Sequence, residues 1–250
     1  MLSHARFRSF GVFLTAALSL AATAAWAGPP FVTDDPEPTD TGHWEVYSYI
    51  SGSHVLGETA GEGGFDLNYG PVKDLQLTAT LPLAYAHDDR THIGWGDLEL
   101  GAKYRFLHQA EGSAMPDVAV FPRLIFPTSG RRFGSGRLQV LLPAWGQKDF
   151  GPWSVFGGGG YDINPGAGNR NFWVSGLAAT RAINKRLALG AEVYHQTTDT
   201  VGGKPYTGVN LGALYKLGGP WSLIAAGGPG VQNAREGGRY SFYAALKLDY

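Results

Sequence analysis

The last eleven residues, Tyr240-Ser-Phe-Tyr-Ala-Ala-Leu-Lys-Leu-Asp-Tyr250, alternate between two kinds of position along their whole length. One set of positions is apolar and has a tyrosine at each end, whereas the other set includes Ser241, Lys247 and Asp249. Because successive side chains of a strand point to opposite faces, this period of two predicts a β-strand. Its length is about that of a tilted strand crossing a bilayer, roughly 9–11 residues, and aromatic residues at both ends of one face are typical of such strands.

Eleven further alternating segments precede this strand, separated by Gly, Pro and Asn residues that favour tight turns. The twelve predicted strands lie near residues 43–51, 63–70, 74–86, 96–107, 116–126, 136–146, 151–163, 170–181, 186–197, 206–217, 220–232 and 239–250. We therefore predict an all-β fold, a transmembrane antiparallel up-and-down β-barrel of 12 strands. Because that number is even, both termini are expected in the periplasm, with longer loops such as 51–62 on the outer side.

The segment 96–107 indicates which face of the strands is turned inward. Its charged residues Asp97, Glu99, Lys103 and Arg105 occupy alternate positions, and the positions between them are mostly leucine and aromatic. A Lys or Arg facing lipid at the bilayer midplane costs about 2–4 kcal/mol. The charged face is therefore predicted to line the lumen.

The same reasoning, applied to the other strands, predicts a lumen lining of mixed charge. Its members are Glu45, Asp66, Asp97, Glu99, Lys103, Arg105, Arg123, Arg137, Glu192, Tyr194, Lys216, Lys247 and Asp249. Two interpretations stay open for these residues. They set the selectivity of a channel, or they pair across neighbouring strands and close a lumen that is narrower than that of the 16- to 18-stranded porins.

Aromatic residues gather at the ends of the predicted strands, as expected for the two membrane–water interfaces. The set predicted for one rim is Trp44, Phe106, Trp153, Trp221 and Tyr250, and the set for the other is Tyr69, Tyr85, Phe172, Tyr206 and Tyr240. Three prolines, Pro82, Pro122 and Pro143, fall inside strands and remove backbone donors, so we interpret them as bulges.

The amino terminus has the features of an export signal. Arg6 and Arg8 precede an apolar run, and Ala25-Trp26-Ala27 has the small-residue spacing of a cleavage site. We predict a cleaved signal peptide over residues 1–27, a periplasmic lead-in or plug over 28–42 and a barrel over 43–250. The predicted location is the outer membrane of a Gram-negative bacterium.

The composition excludes several classes of function. The chain has 37 glycines and no cysteine, which argues against a disulfide scaffold and a thiolate metal site. Removal of the two arginines in residues 1–27 leaves 18 basic and 21 acidic residues, a formal charge of −3, which argues against a nucleic-acid partner. We expect no cofactor and no metal; the expected partners are outer-membrane lipids and a small-molecule solute.

The segment Phe31-Val-Thr-Asp-Asp-Pro-Glu-Pro-Thr-Asp40, followed by Trp44-Glu-Val-Tyr47, resembles the start of the mature region in a family of outer-membrane barrels named for the meta-cleavage pathway of phenol degradation. Phe126-Pro-Thr-Ser-Gly130 and Leu81-Pro-Leu-Ala-Tyr85 are similar to strand ends in that family. The resemblance implies a transporter-like channel for small aromatic or hydrophobic molecules. The closing strand resembles the signal read by the barrel assembly machinery, which is therefore an expected partner during biogenesis.

Asp34 and Asp35 are predicted to lie at the periplasmic mouth, either as a pair that contacts ions or solute, or as turn caps that anchor the lead-in. Two alternatives to a channel remain. One is a barrel without a pore that has a structural or lipid-interacting role. The other is a lipid-modifying enzyme with His195 as its base, although no serine stands in a pattern that resembles the known barrel lipases.

Overall fold

The computed structural model describes residues 30–110, 112–130 and 132–250, without the side chains of residues 236 and 237. The segments of alternating sequence form an antiparallel sheet. The predicted signal peptide lies outside the described residues. The one short helix of the described chain, α1, spans Ala234–Gly237. No helix among the described residues is long and apolar enough to span a membrane.

The strands form one sheet in which each element pairs antiparallel with its neighbours. Their bounds are β1 Trp44–Val55, β2 Glu58–Val72, β3 Leu75–His87, β4 Thr91–Trp95, β5 Leu98–Leu107, β6 Asp117–Val120, β7 Arg123–Phe126, β8 Gln139–Phe150, β9 Trp153–Ile163, β10 Phe172–Ala182, β11 Leu187–Gln196, β12 Tyr206–Gly218, β13 Trp221–Gln232 and β14 Tyr240–Asp249. The elements β4 and β5 are two parts of one barrel strand, as are β6 and β7, so the described ring has twelve strands. The predicted fold class is therefore confirmed.

The ring closes between the first and last strands of the sequence. Glu45 is paired with Asp249, and the register continues to Ser53 beside Ser241. On the far side of the ring, β5 pairs with β3 and also with β6 and β7. Each barrel strand is therefore paired on both sides over most of its length, and only the β4 part pairs with β3 alone. Pairing on both sides is the condition for a sheet in lipid.

The predicted division into outward and inward faces is realised in the strands. Leu77, Leu189 and Val193 are between 44% and 47% exposed and belong to the apolar outer surface. Lys103 and Glu192, which lie on the opposite parity, are 4% and 3% exposed inside the barrel. An apolar exterior around a polar interior is the pattern of a barrel that faces lipid.

Aromatic residues mark both ends of the barrel. We call the end that holds Trp44 and Tyr250 the terminal rim and the opposite end, which holds Tyr240, the loop rim. The prediction for Tyr69 was wrong, because β2 runs back to the terminal rim and stacks the Tyr69 ring on Trp44, with ring centroids 4.7 Å apart.

The predicted outer loop 51–62 is also wrong, since most of it is strand. A two-residue hairpin turn at Leu56 and Gly57 joins β1 to β2, and both residues have positive φ, 52° and 96°. Turns of this kind match the twist of the flanking strands. The two strands therefore extend farther than the sequence pattern predicted, and Glu62 becomes a strand residue.

The three internal prolines coincide with interruptions in the ladder rather than with bulges. Pro122 separates β6 from β7. Pro82 accepts a hydrogen bond from Gly96 N at the break between β4 and β5. Pro143 lies beside the β6–β7 break and accepts a bond from Phe121 N. Each missing N–H thus lies at a break, either in the strand of the proline itself or in a neighbouring strand, so closure of the ring is preserved.

Candidate functional site

Residues 30–40, which we call the crossing segment, lie inside the barrel and span its lumen. Thr39 is bound to Gln76 of β3, whereas Thr33 is bound to Glu192 of β11. In the ring, β3 and β11 are separated by six steps in either direction, so these two contacts are on opposite walls. The segment therefore reaches across the full diameter of a twelve-stranded barrel.

The β11 end of the crossing segment is held by one carboxylate. Glu192 accepts hydrogen bonds from Val32 N at 3.0 Å, Thr33 N at 2.9 Å and Thr33 Oγ1 at 2.7 Å. Asn210 Nδ2 donates a fourth bond to this side chain at 2.8 Å. A buried carboxylate needs several such donors, and the crossing segment supplies most of them.

Glycines on three adjacent strands make room for this end of the segment. A Cβ at Gly176 of β10 would overlap Thr33 Oγ1 and lie 3.1 Å from Thr33 Cβ. A Cβ at Gly190 of β11 or at Gly212 of β12 would lie 3.1 Å or 2.7 Å from the Phe31 ring. The wall is therefore shaped to receive Phe31 and Thr33, and we call these three glycines the glycine seat.

A lysine holds the middle of the crossing segment. Lys103 Nζ of β5 lies 3.1 Å from Asp34 Oδ1 and 3.7 Å from Asp35 Oδ1, and it lies 5.1 Å from the centre of the Phe121 ring. Burial raises the pKa of the Asp35 carboxyl to about 6, and the charge of Asp34 acts in the same direction, whereas Lys103 opposes both. Such buried pairs are costly to break by removal of one partner.

The remaining contacts fix the part of the segment nearest the terminal rim. Gln76 Oε1 accepts bonds from Thr39 N at 2.8 Å and Thr39 Oγ1 at 3.0 Å. Gln147 Nε2 of β8 donates to Glu37 Oε1 at 3.1 Å. Burial, followed by the charges of Asp35 and Asp149, raises the pKa of Glu37 to about 8. The segment is therefore tied to four different strands.

A cavity of about 370 Å³ remains between the crossing segment and the wall built by β1, β2, β3, β5, β7 and β14. Its surface has tyrosine and phenylalanine rings and is rich in carboxylates. The charged residues in its wall are Asp34, Asp35, Glu37, Asp40, Glu45, Glu62, Asp66, Glu99, Lys103 and Arg123. The segment therefore occupies the lumen without filling it.

This first cavity is adjacent to a second one that lies toward the loop rim. The second cavity has a volume of about 640 Å³, and Ser51 and Glu62 belong to the walls of both. Tyr49 donates a hydrogen bond from its hydroxyl to Glu62 Oε1 at 3.0 Å. The carboxylate of Glu62 is thus held at the junction between the two spaces.

The structure brings together most of the residues predicted from the sequence. The first cavity is lined by Glu45, Asp66, Glu99, Lys103, Arg123, Asp34 and Asp35. Glu192 is covered by the crossing segment, and Tyr194 lines a further cavity of about 300 Å³ beside it. Arg105, Lys216, Lys247 and Asp249 lie near the terminal rim, where Lys247 Nζ is 3.2 Å from Glu45 and 2.9 Å from Asp249.

Two predicted lining residues lie elsewhere. Asp97 is in the break between β4 and β5, and its carboxylate accepts bonds from the backbone N–H groups of Ser129 and Ser135, at 2.9 and 2.7 Å. Although burial alone would raise it, hydrogen bonds from Ser129 and Ser135 lower the Asp97 pKa. Arg137 is exposed in the loop before β8. Both residues lie outside the regular strands, where alternation no longer fixes the direction of a side chain.

Sequence reasoning missed three kinds of contact residue. Glu62 lies in a segment whose sequence predicts a loop, although it has the same parity as Asp66. Gln76 and Gln147 carry no charge and therefore gave no signal. Gly176 has no side chain, and its role depends on the approach of Thr33, which is distant in sequence.

Comparison with known proteins agrees with this architecture. A family model described as "Putative MetA-pathway of phenol degradation" matches residues 31–246, which confirms the resemblance drawn from the lead-in. The COG4313 outer membrane channel from Pseudomonas putida F1 has a TM-score of 0.73 and 17% identity, over 86% of this chain and 98% of that chain. This likeness shows the same barrel fold. No curated protein matches the sequence.

Two further solved structures are more distant. The CymD monoaromatic hydrocarbon channel has a TM-score of 0.44 and 9% identity, over 86% of this chain and 88% of that chain. The P. putida toluene transporter TodX has a TM-score of 0.41 and 9% identity, over 83% and 88%. Scores in this range carry no functional argument.

Proposed function

Because the chain belongs to the family described as "Putative MetA-pathway of phenol degradation", we propose that it is an outer-membrane channel for small aromatic or hydrophobic molecules. In this proposal, residues 1–27 direct export and are cleaved, and both barrel termini face the periplasm. The assembly machinery inserts the barrel into the lipid of the outer membrane. The crossing segment acts as a plug that narrows the lumen from the periplasmic side.

One observation carries the proposal: two cavities lie side by side along the β1–β3 wall, beside the plug. The cavities of about 370 and 640 Å³ share Ser51 and Glu62 in their walls. An engineered cavity of about 150 Å³ is already large enough to hold benzene. Either space therefore has room for a single aromatic ring, which is the solute size that the family description suggests.

The lining also fits a solute with an aromatic ring and a hydroxyl group. Tyr47, Tyr49 and Phe121 present ring surfaces to the first cavity, and Glu62 and Asp66 present hydrogen-bond acceptors. Ring surfaces stack on an aromatic solute, whereas carboxylates accept a bond from its hydroxyl. The chemistry required is binding and release, with no covalent step.

The strength of the plug contacts favours one alternative, a barrel whose lumen stays closed. Glu192 and Lys103 fix the segment from opposite sides. In that case the protein has a structural or lipid-interacting role. The enzyme alternative finds no support at His195, whose Nδ1 is 2.9 Å from the Thr207 hydroxyl on the outer face of the sheet.

Conductance and solute uptake distinguish the channel from the closed barrel. The purified protein is reconstituted in planar bilayers and in liposomes, alongside a variant in which residues 31–35 are replaced by Gly and Ser. We expect measurable conductance and faster phenol entry than in protein-free liposomes, both increased in the variant. If neither protein conducts nor admits phenol, while both retain β-structure by circular dichroism, the channel proposal is refuted and the closed barrel is favoured.

A further inference from the structure

The wall of the first cavity has a strong excess of acidic side chains. Eight carboxylates and two basic groups line it. The two basic groups are already engaged, since Lys103 Nζ is 3.1 Å from Asp34 and Arg123 NH1 is 3.2 Å from Glu99. Of the other carboxylates, one pairs with Lys247 and one has a pKa raised to about 8, so the negative potential of this space comes from the rest.

Two of these carboxylates are held by neutral partners. Glu62 Oε1 accepts a hydrogen bond from the Tyr49 hydroxyl at 3.0 Å. Asp66 Oδ1 accepts one from Thr80 Oγ1 at 3.3 Å. A neutral donor fixes the position of a carboxylate without compensating its charge, so both contribute to the potential inside the cavity.

Aromatic faces lie beside these carboxylates and act in the same direction. The rings of Tyr49 and Tyr243 are stacked, with centroids 6.1 Å apart and an interplanar angle of 15°, and both line the first cavity. The face of an aromatic ring attracts cations through its quadrupole. This second feature is independent of the carboxylate count.

We infer that Glu62 and Asp66 determine the charge selectivity of the channel, which passes small cations in preference to anions. The charged organic solutes that fit this lining are protonated amines, and carboxylates and phenolates are disfavoured. The inference rests on the proposed channel function and specifies its solute class. Clefts lined by one sign of charge enrich the opposite ion locally, and carboxylate-lined pores select cations.

Reversal potentials test the inference directly. The wild-type protein is measured in planar bilayers under a roughly tenfold gradient of KCl and then of benzylammonium chloride. An ideally selective monovalent pore reverses at about 59 mV in such a gradient. We expect both cations to be favoured over chloride by roughly tenfold, the lower end of the enrichment expected for a charged cleft.

Matched variants assign the selectivity to the two carboxylates. The double variant Glu62→Gln, Asp66→Asn keeps side-chain size and hydrogen-bond acceptors but removes two charges. The control Asp88→Asn, Asp89→Asn removes two charges from an exposed loop. We expect the cation preference to fall at least several-fold in the first variant and to remain unchanged in the control.

The outcomes separate this inference from the channel proposal. An absence of conductance in the wild type and in the plug variant refutes the channel itself. Conductance that reverses near zero or on the anion side overturns the selectivity inference and leaves the channel intact. An equal loss of selectivity in both double variants also overturns it, because the surface charge of the whole rim would then be the cause.

Discussion

A side chain at Gly176 should expel the plug without altering any plug residue. In the native barrel, Gly176 makes room for Thr33, which is fully buried. The Cβ of Gly176→Ala would overlap Thr33 Oγ1, and the two further methyl groups of Gly176→Val need still more space. We therefore expect a graded effect, with valine stronger than alanine.

The magnitude follows from the bonds that Thr33 makes. Rotation or displacement of Thr33 breaks at least its hydroxyl bond to Glu192, which is 2.7 Å long. A hydrogen bond to a charged group contributes about 1.5–3 kcal/mol. Since 1.4 kcal/mol corresponds to a factor of ten, the seating equilibrium of the plug should shift by roughly 10- to 150-fold toward the released state.

Thiol labelling measures that equilibrium independently of conductance. The chain has no cysteine, and Pro36 is fully buried, so Pro36→Cys provides a single reporter that is protected while the plug is seated. We expect Gly176→Val to increase both the labelling rate at position 36 and the mean conductance in planar bilayers.

The control is Gly146→Ala, a strand glycine whose added Cβ would meet its neighbours at the ordinary distances of 3.6 and 3.9 Å. This variant should label and conduct as the wild type does. If Gly176→Val protects the reporter as well as Gly146→Ala does, while both retain the barrel by circular dichroism, the glycine seat does not hold the plug and the reasoning is wrong.

Three further perturbations act on other contacts. Lys103→Met leaves Asp34 and Asp35 without their cation, which costs about 3–5 kcal/mol of stability for a buried pair. Labelling of the position-36 cysteine should therefore rise strongly, whereas Lys103→Arg should retain protection. Because the pKa of Glu37 is raised to about 8 in the seated plug, seating is most favourable below about pH 4.5 and weakens as the pH rises through 8. Conductance should therefore increase between pH 5 and 9, and Glu37→Gln should flatten this profile. Asp97→Ala removes the hydrogen bonds that anchor loop 127–138, with an expected loss of about 1–3 kcal/mol of local stability. Limited proteolysis should then cut that loop faster while position 36 remains protected, and unchanged cleavage would exclude the anchoring role.

The parity of strand residues was predictable because it depends on local chemistry. A charge at every second position of β5 is compatible with lipid on one side only, and this placed Lys103 inside the barrel before any contact was known. The parity of Glu192 follows from β11 in the same way. At Asp97 and Arg137, which lie outside the strands, the same rule does not apply.

The pairing of Thr33 with Glu192 was not predictable in this way. The two residues are 159 positions apart, and the sequence around Thr33 has no period that relates it to a strand. The lead-in was therefore predicted only as a lead-in or a plug. The contact depends on the ring bringing β11 opposite β3, which is a property of closure rather than of any one segment.

By itself, the sequence determined a barrel of twelve membrane strands, because each strand must turn its apolar face to lipid and its charges to the lumen. The closing strand from Tyr240 to Asp249 already carried this information, including the place of Lys247 and Asp249 inside the barrel. Only the tertiary structure decided what fills that interior, because the glycine seat, the lysine anchor and the cavity beside them exist only once distant segments meet across the ring.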